Sequence, residues 1–133
     1  MSRRAAVAIV VTLTALDARA APPPPASPDA ATLGPYKAWI EAQPTPHGGS
    51  CCSEADGREV DYRVRDGHYE VRFVHPEDIA EQPPVAGRWY PVPDEAVLRA
   101  ANPAGVGIAW WYPGLDFMQH GSPIRCFAPA DGS

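Results

Sequence analysis

The stretch "EVDYRVRDGHYEVRFV", Glu59 to Val74, alternates apolar and polar residues on both sides of Asp66-Gly67. Asp-Gly suits a two-residue type I′ turn, because both central residues must take positive φ. Pairing outward from that turn sets Val64 opposite Tyr69, Tyr62 opposite Val71 and Val60 opposite Phe73 on one face. The other face then carries Arg63 opposite Glu70 and Asp61 opposite Arg72, opposite charges directly across the ladder. Each such cross-strand pair contributes about 0.2–1 kcal/mol. A slip of one residue would lose all of them and turn the charges inward. Turn chemistry, apolar period and charge pairing therefore predict one hairpin in one register.

On its N-terminal side, "YKAWIEAQ" (36–43) has room for two helical turns with Tyr36, Trp39 and Ile40 on one face, stopped by Pro44 and Pro46. On its C-terminal side, "HPEDIAEQPP" (75–84) reads as a surface insertion in which Pro76 starts a single turn. "RWYPV" is a short extended piece, and Pro91 inside it argues for a sheet edge. "PDEAVLRAAN" (93–102) reads as a short helix, acidic in its first turn and with Arg99 in its last, ended by Asn102-Pro103. "GVGIAWWY" (105–112) and "PIRCFA" (123–128) read as strands joined by the polar loop "PGLDFMQHGS". The sum is an α+β domain: a small antiparallel sheet of four to five strands with one or two short helices.

The first twenty residues have the pattern of an export signal. Arg3 and Arg4 precede the uncharged run "AAVAIVVTLTAL", and "ARA" places small residues where a signal peptidase cuts. Twelve apolar residues fall short of the roughly twenty that span a bilayer. The expected organisation is a signal peptide over 1–20, a proline-rich tether without a core over 21–34, one domain over 35–130 and a tail over 131–133. The formal charge is −5, and residues 1–20 hold three arginines against one aspartate, so a cleaved product is more acidic still. Such a chain has no electrostatic route to nucleic acid or to anionic membrane surfaces. A periplasmic or secreted protein is expected, with an envelope protein or glycan as the partner class that compartment offers.

In an oxidising compartment the three cysteines, Cys51, Cys52 and Cys126, point first to a disulfide. Cys126 would pair with Cys52, which lies nearer the hairpin, or with Cys51. Closing a loop of about 75 residues stabilises by about 4.5 kcal/mol in the chain-entropy model. The alternative is a soft-metal site for copper or zinc, drawing on His47, Cys51, Cys52, Met118, His120 and Cys126. Their spacing matches no familiar ligand template. A cysteine enzyme is disfavoured because Glu54 and Asp56 would raise a neighbouring thiol's pKa. No Gly-x-Ser-x-Gly, His-Glu-x-x-His or phosphate-loop pattern is present. A cell-envelope hydrolase thus ranks third, and neither catalytic residues nor a cofactor are expected. Four tryptophans in so short a chain are the remaining signal. Trp110 and Trp111 are adjacent on a strand and must point opposite ways. Together with Trp89 they form the candidate ligand surface, suited to stacking on a sugar ring or a partner's side chain.

The order of these features, a Cys-Cys pair, the hairpin, "WYPVPDEAVLR", Asn102-Pro103-x-Gly105 and a last strand ending Cys126-Phe127-x-Pro129, resembles a family of small exported Gram-negative bacterial proteins of unassigned function. The resemblance covers roughly Trp39 to Pro129. Some members of that family carry a further cysteine after the aspartate of the first motif. Here Gly57 follows Asp56, which makes the thiol count odd. The resemblance implies export and supplies no catalytic residue; a non-enzymatic binding or structural role is what remains once the enzyme and metal patterns are set aside.

Overall fold

The computed structural model describes residues 26–44, 57–79, 84–112, 118 and 121–130. A helical segment comes first: α1 (Pro28–Leu33) and α2 (Lys37–Glu41), joined by a 3-10 turn at Gly34–Tyr36. Five strands follow, β1 (Gly57–Arg65), β2 (His68–Phe73), β3 (Tyr90–Pro91), β4 (Gly107–Trp111) and β5 (Ile124–Ala128). They form one antiparallel sheet in the order β3-β2-β1-β4-β5. The fold class is α+β.

The β1–β2 hairpin has the register that its alternation predicts, from Val60 opposite Phe73 to Arg65 opposite His68. Asp66 (φ 51°) and Gly67 (φ 85°) are both left-handed, as a type I′ turn requires. Period-2 alternation gives the sheet two unlike faces. Val60, Val71, Phe73, Tyr90, Ala109 and Phe127 belong to one core layer, completed by Val92, Ala96 and Ile124. Ile108, Trp110, Cys126 and Ala128 belong to the other, under Leu33 and Ile40 of the helical segment and Leu98. Both faces of β4 and β5 are therefore buried, while the outer face of the hairpin is not.

Three expectations need correction. The segment over 21–34 is not coreless throughout: α1 lies within it, Ser27 accepts a hydrogen bond from the Ala30 N–H, and Leu33 is buried. Ser-Pro-Asp at 27–29 is an N-cap followed by proline at the first helical position, a start signal that the proline run conceals. Second, the helix expected over 93–102 is only a 3-10 turn at Asp94–Ala96. Val97 instead bridges Phe127 in parallel, and the Leu98 N–H donates to the Phe127 carbonyl at 2.7 Å. The free edge of β5 offers a carbonyl, and a β-branched valine accepts the extended conformation at little cost; tertiary pairing overrides local helix preference. Third, Asn102 is more than a helix terminator. Its Oδ1 accepts from the Ala104 N–H, and its Nδ2 donates to the carbonyls of Val106 and Ala128. It thereby ties the loop before β4 to the end of β5.

Asp29 is the most consequential polar group in the helical segment. It is 0 % exposed, and its Oδ1 accepts the Glu59 N–H at 2.9 Å. That N–H lies at the β2 end of the hairpin, where the carbonyl of Glu59 already accepts from Val74. Asp29 thus supplies the acceptor that a continuing strand would have supplied. The Arg58 guanidinium lies 3.9 Å from Asp29 Oδ2, which has no hydrogen bond among the described residues. Burial raises the Asp29 pKa, outweighing the opposing pull of the Glu59 N–H and of Arg58.

Two outcomes follow. A carboxyl whose folded-state pKa is raised contributes most below its ordinary value, 3.8, and that contribution is lost as pH rises through the raised value. Asp29→Asn keeps the acceptor for Glu59 and removes the charge. The unfolding free energy of the wild type should therefore fall relative to that of the variant as pH is raised from about 3 to about 7; a difference constant across the range would show that the carboxyl does not titrate abnormally. Gly107 sits under the ring of Tyr62, where a Cβ would come within 2.7 Å of Tyr62 Cδ1 and 2.8 Å of the Val60 carbonyl oxygen. Gly107→Ala should cost about 1–3 kcal/mol in urea unfolding, as overpacking does.

Candidate functional site

Strand alternation sends Asp61, Arg63, Glu70 and Arg72 to the uncovered face of the hairpin. There Arg63 Nη2 lies 2.6 Å from Glu70 Oε2, and Arg72 Nη2 lies 2.6 Å from Asp61 Oδ2. β3 places Tyr90 beside Val71 in the core, so its neighbours Trp89 and Pro91 fall on the opposite, uncovered face. The indole of Trp89 packs against both arginines, with guanidinium carbons 4.2 Å (Arg63) and 5.0 Å (Arg72) from its ring centroid. Cation–π contacts of this kind are worth about 0.5–1 kcal/mol at exposed sites. Each guanidinium is thus held by a carboxylate and by a ring, and the half-buried indole is held flat on a charge-balanced base.

Next to this platform, past the end of β3, runs an open groove of about 560 Å³. Arg65, His68, Glu70, Pro91, Asp94 and Ser122 are among the residues lining it. Glu70 and Pro91 join it to the platform. His68 Nδ1 lies 2.9 Å from Asp94 Oδ1 at the rim, pinning the hairpin tip to the 94–96 turn. The hydrogen bond to Asp94, then that residue's charge, raises the His68 pKa above its usual value. A serine, a histidine and an aspartate in one groove invite a hydrolase reading, but Ser122 is committed elsewhere. It is 5 % exposed, its Oγ donates to the Pro91 carbonyl and accepts the Ile124 N–H, and so it closes the turn into β5.

The tryptophans separate sharply. Trp110 is 1 % exposed beneath the helical segment and is a core residue, so it leaves the candidate ligand surface. Trp111, half-buried, meets Phe73 and Tyr90 edge-on in the opposite layer. Only Trp89 of the three lies on the uncovered face. Of the metal-ligand candidates, His47, Cys51, Cys52 and His120 lie outside the described residues. Met118 is 70 % exposed, whereas Cys126 is 0 % exposed in the helix-covered layer. Among the described residues, no three His, Cys, Asp or Glu side chains gather to hold a metal. Sequence reasoning missed the His68–Asp94 pair and the joining of the groove to Trp89, because both depend on where β3 and the 94–96 turn dock. The signal available was Trp89 one step from Tyr90 and two residues before an edge proline, hence on that proline's face.

No family model, curated protein or solved structure matches the chain.

The geometry at the groove rim is open to a direct check. Below the usual His68 pKa the imidazolium–Asp94 attraction is fully present, and it is lost as pH rises through the raised value. In an NMR titration His68 should titrate above 6.5, and Asp94→Asn should bring its midpoint down. An unmoved midpoint would mean that the pair does not persist in solution.

Proposed function

We propose that this is an exported, non-enzymatic binding domain of the cell envelope, and that its ligand surface is the uncovered sheet face centred on Trp89. One observation carries the reading. Trp89 is held outward by Arg63 and Arg72, while its neighbours in the sheet pack into core layers. An indole kept on the surface and stiffened by two ion pairs forgoes burial that the core would offer it. Binding surfaces, by contrast, are enriched in Trp and Arg. The enzyme alternative is weakened by Ser122, whose buried hydroxyl gives its proton to the Pro91 carbonyl and accepts the Ile124 N–H.

Export is proposed from the pattern of residues 1–20, with cleavage before Ala21. The same compartment would form a disulfide from Cys126 to Cys52 or Cys51. Support comes from Cys126, which is fully buried in the same core layer as Trp110 and Ile108, as half-cystines commonly are.

Two measurements test the reading. Intact-mass analysis of protein recovered from the periplasm should give a chain starting at Ala21 with one alkylatable thiol; three alkylatable thiols with bound copper or zinc would replace the disulfide by the soft-metal alternative. Lysozyme-solubilised cell-wall fragments, which carry both glycan and peptide, should shift the NMR signals of Asp61, Arg63, Glu70, Arg72 and the Trp89 indole without being turned over. Turnover, or shifts confined to the opposite face, would overturn the proposal.

A further inference from the structure

We infer that the ligand of this face is a neutral oligosaccharide, with one sugar ring stacked on Trp89 and the chain running past Glu70 and Pro91 into the groove at the hairpin tip. The inference rests on the binding reading above and names its ligand class. Charge comes first. On the platform Arg63 is matched by Glu70 and Arg72 by Asp61, so these four groups beside the indole carry no net charge. In the groove an anionic polymer would meet Asp66, Glu70 and Asp94 beside Arg65 and His68, on a chain whose formal charge is −5. A cationic peptide would have to displace Arg63 and Arg72 from their carboxylates and from the indole. A neutral ligand need disturb neither.

Shape and hydrogen bonding come second. A pyranose ring presents a flat face of C–H groups ringed by hydroxyls that both donate and accept. The indole supplies a flat apolar partner, and the ion-paired guanidinium and carboxylate groups around it supply donors and acceptors held in place. Because both ion pairs are preformed, little side-chain freedom is lost on binding.

The sheet edges argue against an extended peptide, the other ligand class such a sheet could take. Strand addition needs a row of open backbone groups. β3 is two residues long and contains Pro91, and the outer edge of β5 already receives the Leu98 N–H at Phe127. The groove, by contrast, lies in the roughly 300–1,000 Å³ range of ligand pockets at about 560 Å³ and continues from the platform. It suits a chain of more than one ring.

The experiment uses the full mature chain, labelled with 15N, and its four indole N–H signals. Chitotetraose and cellotetraose are the neutral probes, tetragalacturonate the anionic one, the chitosan tetramer the cationic one, and a cell-wall stem peptide the peptide control. At least one neutral tetramer should shift the Trp89 indole and the amides of His68 and Glu70 saturably, more tightly than its monomer, leaving the Trp110 signal still. Trp89→Ala should weaken binding at least tenfold and Trp89→Phe a few-fold; the second variant keeps the test valid if the first unfolds. Tighter binding of the charged tetramers, or shifts that avoid Trp89, would overturn the inference. If only the stem peptide moves the Trp89 signal, the binding face stands and the glycan falls; if no probe moves it, both fall.

Discussion

Asp66 and Gly67 hold the left-handed backbone that a two-residue connection between right-twisting strands demands. That constraint sets the β1–β2 register, and the register decides the chemistry of each face. Val60, Tyr62 and Val71 are sent to the core side, and Asp61, Arg63, Glu70 and Arg72 to the other. A one-residue slip of β2 would turn Glu70 and Arg72 inward and expose Val71. β1 then passes the same parity to β4 and, through it, to β5.

Coverage of the two faces is unequal. Trp110, Ile108 and Cys126 lie under the helical segment, whose attachment includes the bond from the Glu59 N–H to Asp29 and the burial of Leu33 and Ile40. The segment stops short of β2 and β3, and the charged ladder takes over there. On the far face the rings of Tyr62, Tyr69 and Phe127 and those of Phe73, Tyr90 and Trp111 pack edge-on, with Tyr69 tilted on Phe127. Such pairs add about 0.5–1.5 kcal/mol beyond their area. The aromatics that make the composition unusual are thus mostly structural, and the one on the uncovered face stands apart.

The candidate site draws on elements distant in sequence: the hairpin, the residues flanking Pro91, the 94–96 turn and the Gly121-Ser122 turn. Several of its polar groups are already paired with one another or with the backbone. His68 and Asp94 are both exposed, and Ser122 is locked by backbone groups.

The hairpin, its register, the edge position of Pro91 and the strands around Trp110 and Cys126 were legible in the chain, because alternation, Asp-Gly and proline act over a few neighbouring residues. Parity even announced that Trp110 and Trp111 part company. It could not say which would be covered, since that depends on where a helical segment about seventy residues away in sequence docks. The same limit hid α1 behind a proline run, buried Asp29 and turned the expected helix after Pro93 into a bridge to Phe127. In each case a backbone group left over by the sheet, the Glu59 N–H or the Phe127 carbonyl, recruited a partner from far along the chain. Only the assembled sheet shows which groups are left over, so local pattern determined the strands and tertiary pairing decided what covers them.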